Sequence, residues 1–549
     1  MSAELAATGR RLLTRWHYDF GGLVVATVFF CLSLTPSLLP RMALLQGLVS
    51  GILTAIGYGL GVLAVWLTRK SLLRELPHAP PAAWRVLGIA AGLAVALFLL
   101  LDYRWQRQLR RLIGMDPPAH FRFPVILLVT VVTAAALIGT VRLIRRAAVR
   151  LGAFLGRWIP ASTARVLAGV VTALVVIGVL NGVVLDGLHS MADDMFASVN
   201  DETDPDAAPP TDPMRSGSPA SLVSWDSLGN QGRRFIAGGP DAERLRDFAG
   251  PDAKTPIRVY AGVGSAPSSR ERAALALDEL RRTGAFSRRV LCVITTTGTG
   301  WVNERAVDPL EYMYGGDTAL VSMQYSYLPS VISFLVDKER ARAAGRDLFN
   351  QVYAAWSGLP RDERPLLLVF GESLGSFGAE SAFSGSDDIR NRTDGMLLVG
   401  PPSRNGLWSE IVAGRDPGTR AVLPAYQGGT TVRFAADAAG LAATVPAPRV
   451  VYLQHPSDPI TWWSPDLLFR RPDWLAEPRG ADVLDSTRWY PFITFAQVSA
   501  DMAISNSVPG GHGHNFGATP VAAWAALAPP DGWTVARTEE LTAIIAGEQ

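Results

Sequence analysis

Five apolar stretches crowd into the first 190 residues, and they constrain the fold more than any other feature of the chain. They run Gly21–Leu39, Met42–Thr68, Ala83–Leu101, Phe123–Thr140 and Thr163–Leu185. Each is close to the about 20 residues that a helix needs to cross hydrocarbon. Buried helices of a soluble domain are the alternative, but five such runs would leave no amphipathic partners to cover them. The first run, after Arg10, Arg11 and Arg15, imitates a signal peptide. However, Pro36 and Pro40 lead straight into the second run with no clean small-residue cleavage site between them. Residues 1–190 therefore read as a helical membrane domain of about five spans, surrounded by membrane lipids.

Lys and Arg in the loops orient such a domain. With the N-terminus inside, the cytoplasmic segments hold 11 basic residues: Arg10, Arg11, Arg15, Arg69, Lys70, Arg74, Arg142, Arg145, Arg146, Arg150 and Arg157. The opposite side holds 6: Arg41, Arg104, Arg107, Arg110, Arg111 and Arg122. Five spans then place the remainder of the chain on the extracytoplasmic side. The Arg-rich stretch Asp102–Phe121 has Trp105, Leu109, Leu112 and Ile113 on one helical face. It reads equally as a helix lying on the membrane surface or as a solvated helical loop.

Beyond the spans the composition changes. Asp201–Ser218 is rich in Asp, Pro, Ser and Gly and reads as a linker, so the domains are drawn as 1–190, a linker over 191–220, and 221–549. Short apolar strands are expected at Ile257–Val263, Val290–Thr295, Ala319–Tyr325, Leu366–Phe370, Met396–Val399 and Val450–Gln454. Helices are expected at Glu271–Arg282 and Asp347–Trp356. Strands apolar throughout, with helices between them, predict a mostly parallel sheet covered on both faces. The net charge of +2 and the lack of a basic stripe interleaved with aromatics exclude a nucleic-acid partner. Two cysteines, Cys31 and Cys292, support neither a disulfide framework nor a Cys-based metal site.

The most specific motif is Gly371-Glu-Ser373-Leu-Gly375-Ser-Phe-Gly378, placed between the strand from Leu366 and a small-residue helix. A serine on a sharp strand-to-helix turn needs glycines two residues to either side, and this context makes Ser373 the expected nucleophile. The Leu374 N–H, at the helix start, is one expected oxyanion donor. The second comes from the turn after Val290–Thr295, from the N–H of Thr296 or Thr297. A glycine-rich turn with a buried structural serine is the plain alternative.

Three stretches carry a resemblance: Val321–Ser330, Gly371–Glu380 and Gly511-His-Gly-His514. Across essentially its full length the chain resembles an actinobacterial family of α/β-hydrolase-like membrane proteins, with a multi-span N-terminal region and a C-terminal hydrolase domain. The resemblance implies a Ser, acid, His triad in that chain order and implies no particular substrate.

After Ser373, the strand Val450–Gln454 leads to His455-Pro-Ser-Asp458-Pro459. An acid just past a strand end suits the orienting role, so Asp458 is the expected acid. A turn cap before Pro459 is the competing role for it, and Asp466 and Asp473 are weaker candidates. Only His512 and His514 follow as bases. His514 is favoured because it lies about one turn before a helix starting near Thr519, with His512 as a neighbour or pocket residue. Two histidines at i, i+2 without further ligands do not make a metal site, and no metal or cofactor is expected. Thr461–Trp489, long, aromatic and Pro-rich, reads as a lid or as a rearranged sheet end, and Trp489–Ile504 reads as a helix where a hydrolase usually has a strand. Trp462, Trp463, Trp474 and Trp489 read either as an apolar entrance or as core.

The expectation is a membrane-anchored serine hydrolase acting on ester or thioester bonds, with a lipid or acyl-ester substrate inferred from location. An acyltransferase of lipid or mycoloyl type with the same triad, and a non-catalytic module of a membrane complex, are the alternatives.

Overall fold

The computed structural model describes residues 18–71, 79–118, 122–178, 199–205, 207–328, 333, 338–442 and 447–547. The chain divides into two compact units. The first comprises Met1–Asp186 together with Pro465–Ala476 and Val483–Ile504; the second comprises Gly187–Ser464, Glu477–Asp482 and Ser505–Gln549.

The first unit is helical: α1 (Phe20–Ser33), α2 (Ala43–Ser71), α3 (Pro81–Leu112), α4 (Arg122–Leu155) and α5 (Ala161–Gly178). Four of these, α2 to α5, are long and apolar enough to cross a membrane. α1 departs from the expected five spans. It has 14 residues, about 21 Å at 1.5 Å per residue, which is short of the ~30 Å hydrocarbon core. Asp19 caps its N-terminus through the Gly22 N–H, and the helix ends at Ser33 ahead of Thr35 and Pro36. Ser33 Oγ donates to Ser50 Oγ at 2.7 Å, joining the end of α1 to α2. The expected fifth span, Thr163–Leu185, is helical as far as Gly178, and its remainder falls outside the described residues. The Arg-rich stretch is no separate surface helix. Residues up to Leu112 continue α3, a single helix of 32 residues.

The unit is completed by chain from the C-terminal half. Helix Ile493–Met502, expected as a helix, packs Ile493 against Val49 and Leu53 of α2. Trp489 donates its indole N–H to the Leu467 carbonyl at 2.9 Å within the same unit. The stretch Thr461–Trp489 is therefore divided. Its residues 465–476 and 483–489 belong to the helical unit, while Trp462 is buried in the other unit against Trp408.

The second unit carries seven parallel strands: β1 (Ile257–Ala261), β2 (Val290–Thr295), β3 (Thr318–Met323), β4 (Leu366–Glu372), β5 (Gly395–Val399), β6 (Val432–Ala435) and β7 (Val450–Leu453). They are ordered β1-β3-β2-β4-β5-β7-β6. β4 is central, with Val290↔Leu366 on one side and Leu368↔Gly395 on the other. Nearly every strand residue is buried, as a sheet covered on both faces requires. Helices Ser269–Arg282 and Lys338–Ser357 contain the expected ones. The expected linker is not free along its whole length: Ser216 is fully buried and Arg215 bridges Arg258 beside β1. The strand that sequence reasoning missed is β6. It explains the lack of a strand before the histidine loop, because the sheet edge is supplied by chain lying before β7.

Candidate functional site

The β4 strand ends in a turn that no relaxed backbone would make. Ser373 stands at φ 53°, ψ −125°, a positive φ that a residue with a side chain rarely adopts. Its N–H donates to the Val399 carbonyl at 2.8 Å, which holds the turn against β5. The following helix, Leu374–Glu380, starts against the end of β2. A Cβ on Gly375 would lie 2.3 Å from the Thr295 carbonyl oxygen, so only glycine fits there. The elbow and the Thr296 turn are thereby brought together. The Thr297 N–H, however, donates to the Trp301 carbonyl at 3.0 Å and is already in use. Of the two expected donors from this turn, Thr296 is the one this hydrogen bond leaves. Leu374 is the first residue of the elbow helix, as expected.

Asp458 and His514 meet directly, Asp458 Oδ2 lying 2.7 Å from His514 Nδ1. The two readings of Asp458 are not exclusive, because its other oxygen accepts the Ile460 N–H at 2.8 Å and caps the short helix Pro459–Trp462. Both side chains are buried, Asp458 completely. His514 Nε2 is buried with no hydrogen-bond partner among the described residues. An imidazole anchored at Nδ1 and open at Nε2 is arranged to take a proton at that atom.

The glycine loop is pinned to the Asp458 loop at further points. His455 Nδ1 bonds the Gly513 carbonyl at 2.8 Å, and the Gly513 N–H donates to Ser457 Oγ at 2.8 Å. His455 also stacks on Phe516, with ring centroids 4.2 Å apart, and burial pushes its imidazole below the usual range. His512 is half-buried, with Nδ1 3.3 Å from Asp482 Oδ2, and Asp482 also accepts from Ser457 Oγ. The structure thus places His514 on Asp458 and His512 on a different carboxylate.

Two neighbours of the site were not found by sequence reasoning. Gly400, following β5 at φ 54°, lies so close to the His514 ring that a Cβ there would stand 2.3 Å from His514 Cε1. The only sequence signal was its position between an apolar strand and Pro401-Pro402. Glu372 occupies the variable position of the elbow motif and is nearly fully buried, with Asn303 Nδ2 donating to it at 2.8 Å. Glu372 and His514 share the wall of a cavity of about 660 Å³, whose lining includes Asn303, Glu304, Arg305 and Asn515. Ser373 is not part of that lining, whereas Glu372, its neighbour in the chain, and His514 are.

Burial works against a charged His514, but the Asp458 charge and hydrogen bond, helped by Glu372, raise its pKa above the ordinary 6.5. Burial pushes Glu372 above the usual carboxylate range, opposed by His514 and the Asn303 hydrogen bond. A base working through neutral His514 gives kcat/KM an acid limb above pH 6.5. Glu372→Gln removes one carboxylate that favours the imidazolium, so the limb moves to lower pH. The plateau rate is expected to stay within about threefold, since the Asp458 contact is untouched. A pH profile of ester turnover checks this, and a limb that stays in place contradicts it.

Among the described residues no group of three or more His, Cys, Asp or Glu side chains is placed to hold a metal ion. Residues 257–541 match the Alpha/beta-hydrolase family, and residues 34–240 match the Alpha/beta-hydrolase family N-terminus. No curated protein and no solved structure matches the chain. With more than half the chain matched and a parallel seven-stranded sheet carrying the elbow, the chain belongs to the alpha/beta-hydrolase family.

Proposed function

We propose that this is a membrane-anchored serine hydrolase that cleaves ester or thioester bonds through an acyl-enzyme on Ser373. The observation that carries the reading is the Asp458–His514 contact of 2.7 Å, with His514 Nε2 buried and open, in a domain whose central strand ends in a strained serine. His514 Nε2 takes the proton of Ser373 Oγ as that oxygen attacks the carbonyl carbon. The oxyanion is met by the N–H groups of Leu374 and Thr296. The imidazolium, stabilised by Asp458, returns the proton to the leaving oxygen or sulfur, and water then releases the acyl group by the same steps reversed in role.

A lipid ester is the substrate class we favour, because the helical unit places the chain at a bilayer. The cavity beside His514 is lined by charged and amide side chains such as Arg305, Glu304 and Asn303. It suits a polar head group better than an acyl tail. Transfer of the acyl group to an alcohol in place of water would use the same residues and differ only in the product.

We place the hydrolase domain on the extracytoplasmic side. The basic end of α2, with Arg69 and Lys70, and the basic half of α4, with Arg142, Arg145, Arg146 and Arg150, take the cytoplasmic side by the positive-inside rule, and the course of the helices supports this reading. The start of α1, the later part of α2 and the basic half of α4 meet at one end of the unit, where the Asp19 N–H and Arg142 both bond the Tyr58 hydroxyl. α5 turns back from that end, its Ala164 and Ala168 facing Gly152 of α4.

A charged fluorogenic ester that cannot cross membranes tests activity and side together. Intact spheroplasts expressing the chain are expected to hydrolyse it, and those expressing Ser373→Ala are not. Hydrolysis only after lysis would put the domain inside. No serine-dependent turnover of any ester or thioester, intact or lysed, would remove the enzyme reading.

A further inference from the structure

The cavity beside His514 is lined by the sheet-bearing unit alone, and nearly every charged side chain in its wall already has a partner. Asp308 is paired with the fully buried Arg258, whose Nη2 lies 2.5 Å from Asp308 Oδ1. Glu372 accepts from Asn303 Nδ2, and His514 is held by Asp458. Arg234 and Arg244 make exposed ion pairs with Asp204 and Asp241 at 3.7 and 3.9 Å. Glu304 lies against Gly238, where an added Cβ would stand 2.5 Å from Glu304 Oε1. Arg305 differs from all of these. It is half-buried in the same wall, and its guanidinium has no ion pair and no hydrogen bond among the described residues.

The local sequence explains why Arg305 stands alone. It is the second residue of helix Glu304–Met313, so its neighbours along the helix surface are residues 308 and 309, three and four positions on. Asp308 is drawn to Arg258, and Pro309 carries no charge. Glu304, adjacent in sequence, does not share the face of Arg305. A cation in the first turn also sits at the end of a helix where the macrodipole favours negative charge. An unpaired arginine here breaks a local rule, which proteins do at functional sites. A guanidinium presents its donors as a planar fork that matches the oxygens of a carboxylate or a phosphate.

We propose that Arg305 receives an anionic group of the substrate, so that the ester taken by this site carries a phosphate or carboxylate on its alcohol part. This rests on the cavity being where the head group of the hydrolysed ester binds. Arg305 selects the substrate and takes no part in the proton transfers at His514.

Full-length protein in detergent, assayed for release of octanoate from octanoyl glycerophosphate and from the neutral monooctanoylglycerol, tests the proposal. The phosphate ester is expected to have a kcat/KM about tenfold or more above that of the neutral ester. Arg305→Gln should lower this ratio about tenfold, with the loss in the KM of the phosphate ester and not in its kcat. Arg305→Lys should recover part of the ratio, as a point charge without the fork. Binding is read separately on Ser373→Ala protein, where adding Arg305→Gln should weaken octanoyl glycerophosphate about tenfold. Glycerophosphate should compete with the phosphate ester far better than inorganic phosphate does. Equal competition by the two would make this a site for a free anion and overturn the assignment to substrate. A folded Arg305→Gln variant with the wild-type ratio and wild-type binding would also overturn the proposal. Protein that binds the phosphate ester through Arg305 but cleaves neither ester and resists a fluorophosphonate defeats the hydrolase reading instead, so the two failures are distinguishable.

Discussion

Replacing His514 by Ala is expected to lower kcat/KM for ester cleavage by roughly 10⁴-fold, and His512→Ala by no more than about threefold. The contrast follows from what each ring touches. His514 has its Nδ1 2.7 Å from Asp458 and its Nε2 buried and open, so its loss removes proton transfer from both half-reactions. His512 is half-buried at 3.3 Å from Asp482, a partly solvated contact of the kind that contributes little. Asp458→Asn is expected to fall near the His514→Ala value, because an amide no longer selects the tautomer with its proton on Nδ1. The Asn substitution also keeps an oxygen able to cap the Ile460 N–H, so the short helix Pro459–Trp462 should survive. Purified variants compared by kcat/KM and thermal unfolding decide the matter. Large losses at His512 with little effect at His514 would reassign the base.

The membrane helices, the strands and the elbow were legible because each rests on a local pattern. Val290–Thr295 is apolar at every position and is the strand observed, and the glycines around Ser373 announce a turn that only a small set of residues tolerates. Features set by distant chain were not legible. β6 is the four residues Val-Arg-Phe-Ala, too short and too interrupted by Arg433 to read as a strand, and its place at the sheet edge reverses the chain order of the last two strands. Gly400 is constrained by the His514 ring, 114 positions away in the chain, and nothing in the neighbouring sequence reveals that. The helix Ile493–Met502 was foreseen as a helix, but Gln497 and Asp501 look like surface residues until Arg41 and Thr35 supply their partners. The first apolar run was long enough to suggest a span. Its helix stops at Ser33, short of the prolines that were read only as a connection to the next run.

The most direct test of the account is the site of reaction with a fluorophosphonate, located by peptide mass spectrometry. A serine hydroxyl is a weak nucleophile unless a base takes its proton, so rapid phosphonylation reports an assembled Ser, His, Asp arrangement. The native protein is expected to gain one adduct, on Ser373. Heat-denatured protein and Ser373→Ala are expected to gain none, with Ser373→Ala unfolding near the wild-type temperature. Asp458→Asn should react far more slowly at the same serine. A folded wild-type protein that stays unmodified, or one modified at a serine other than Ser373, would contradict the account.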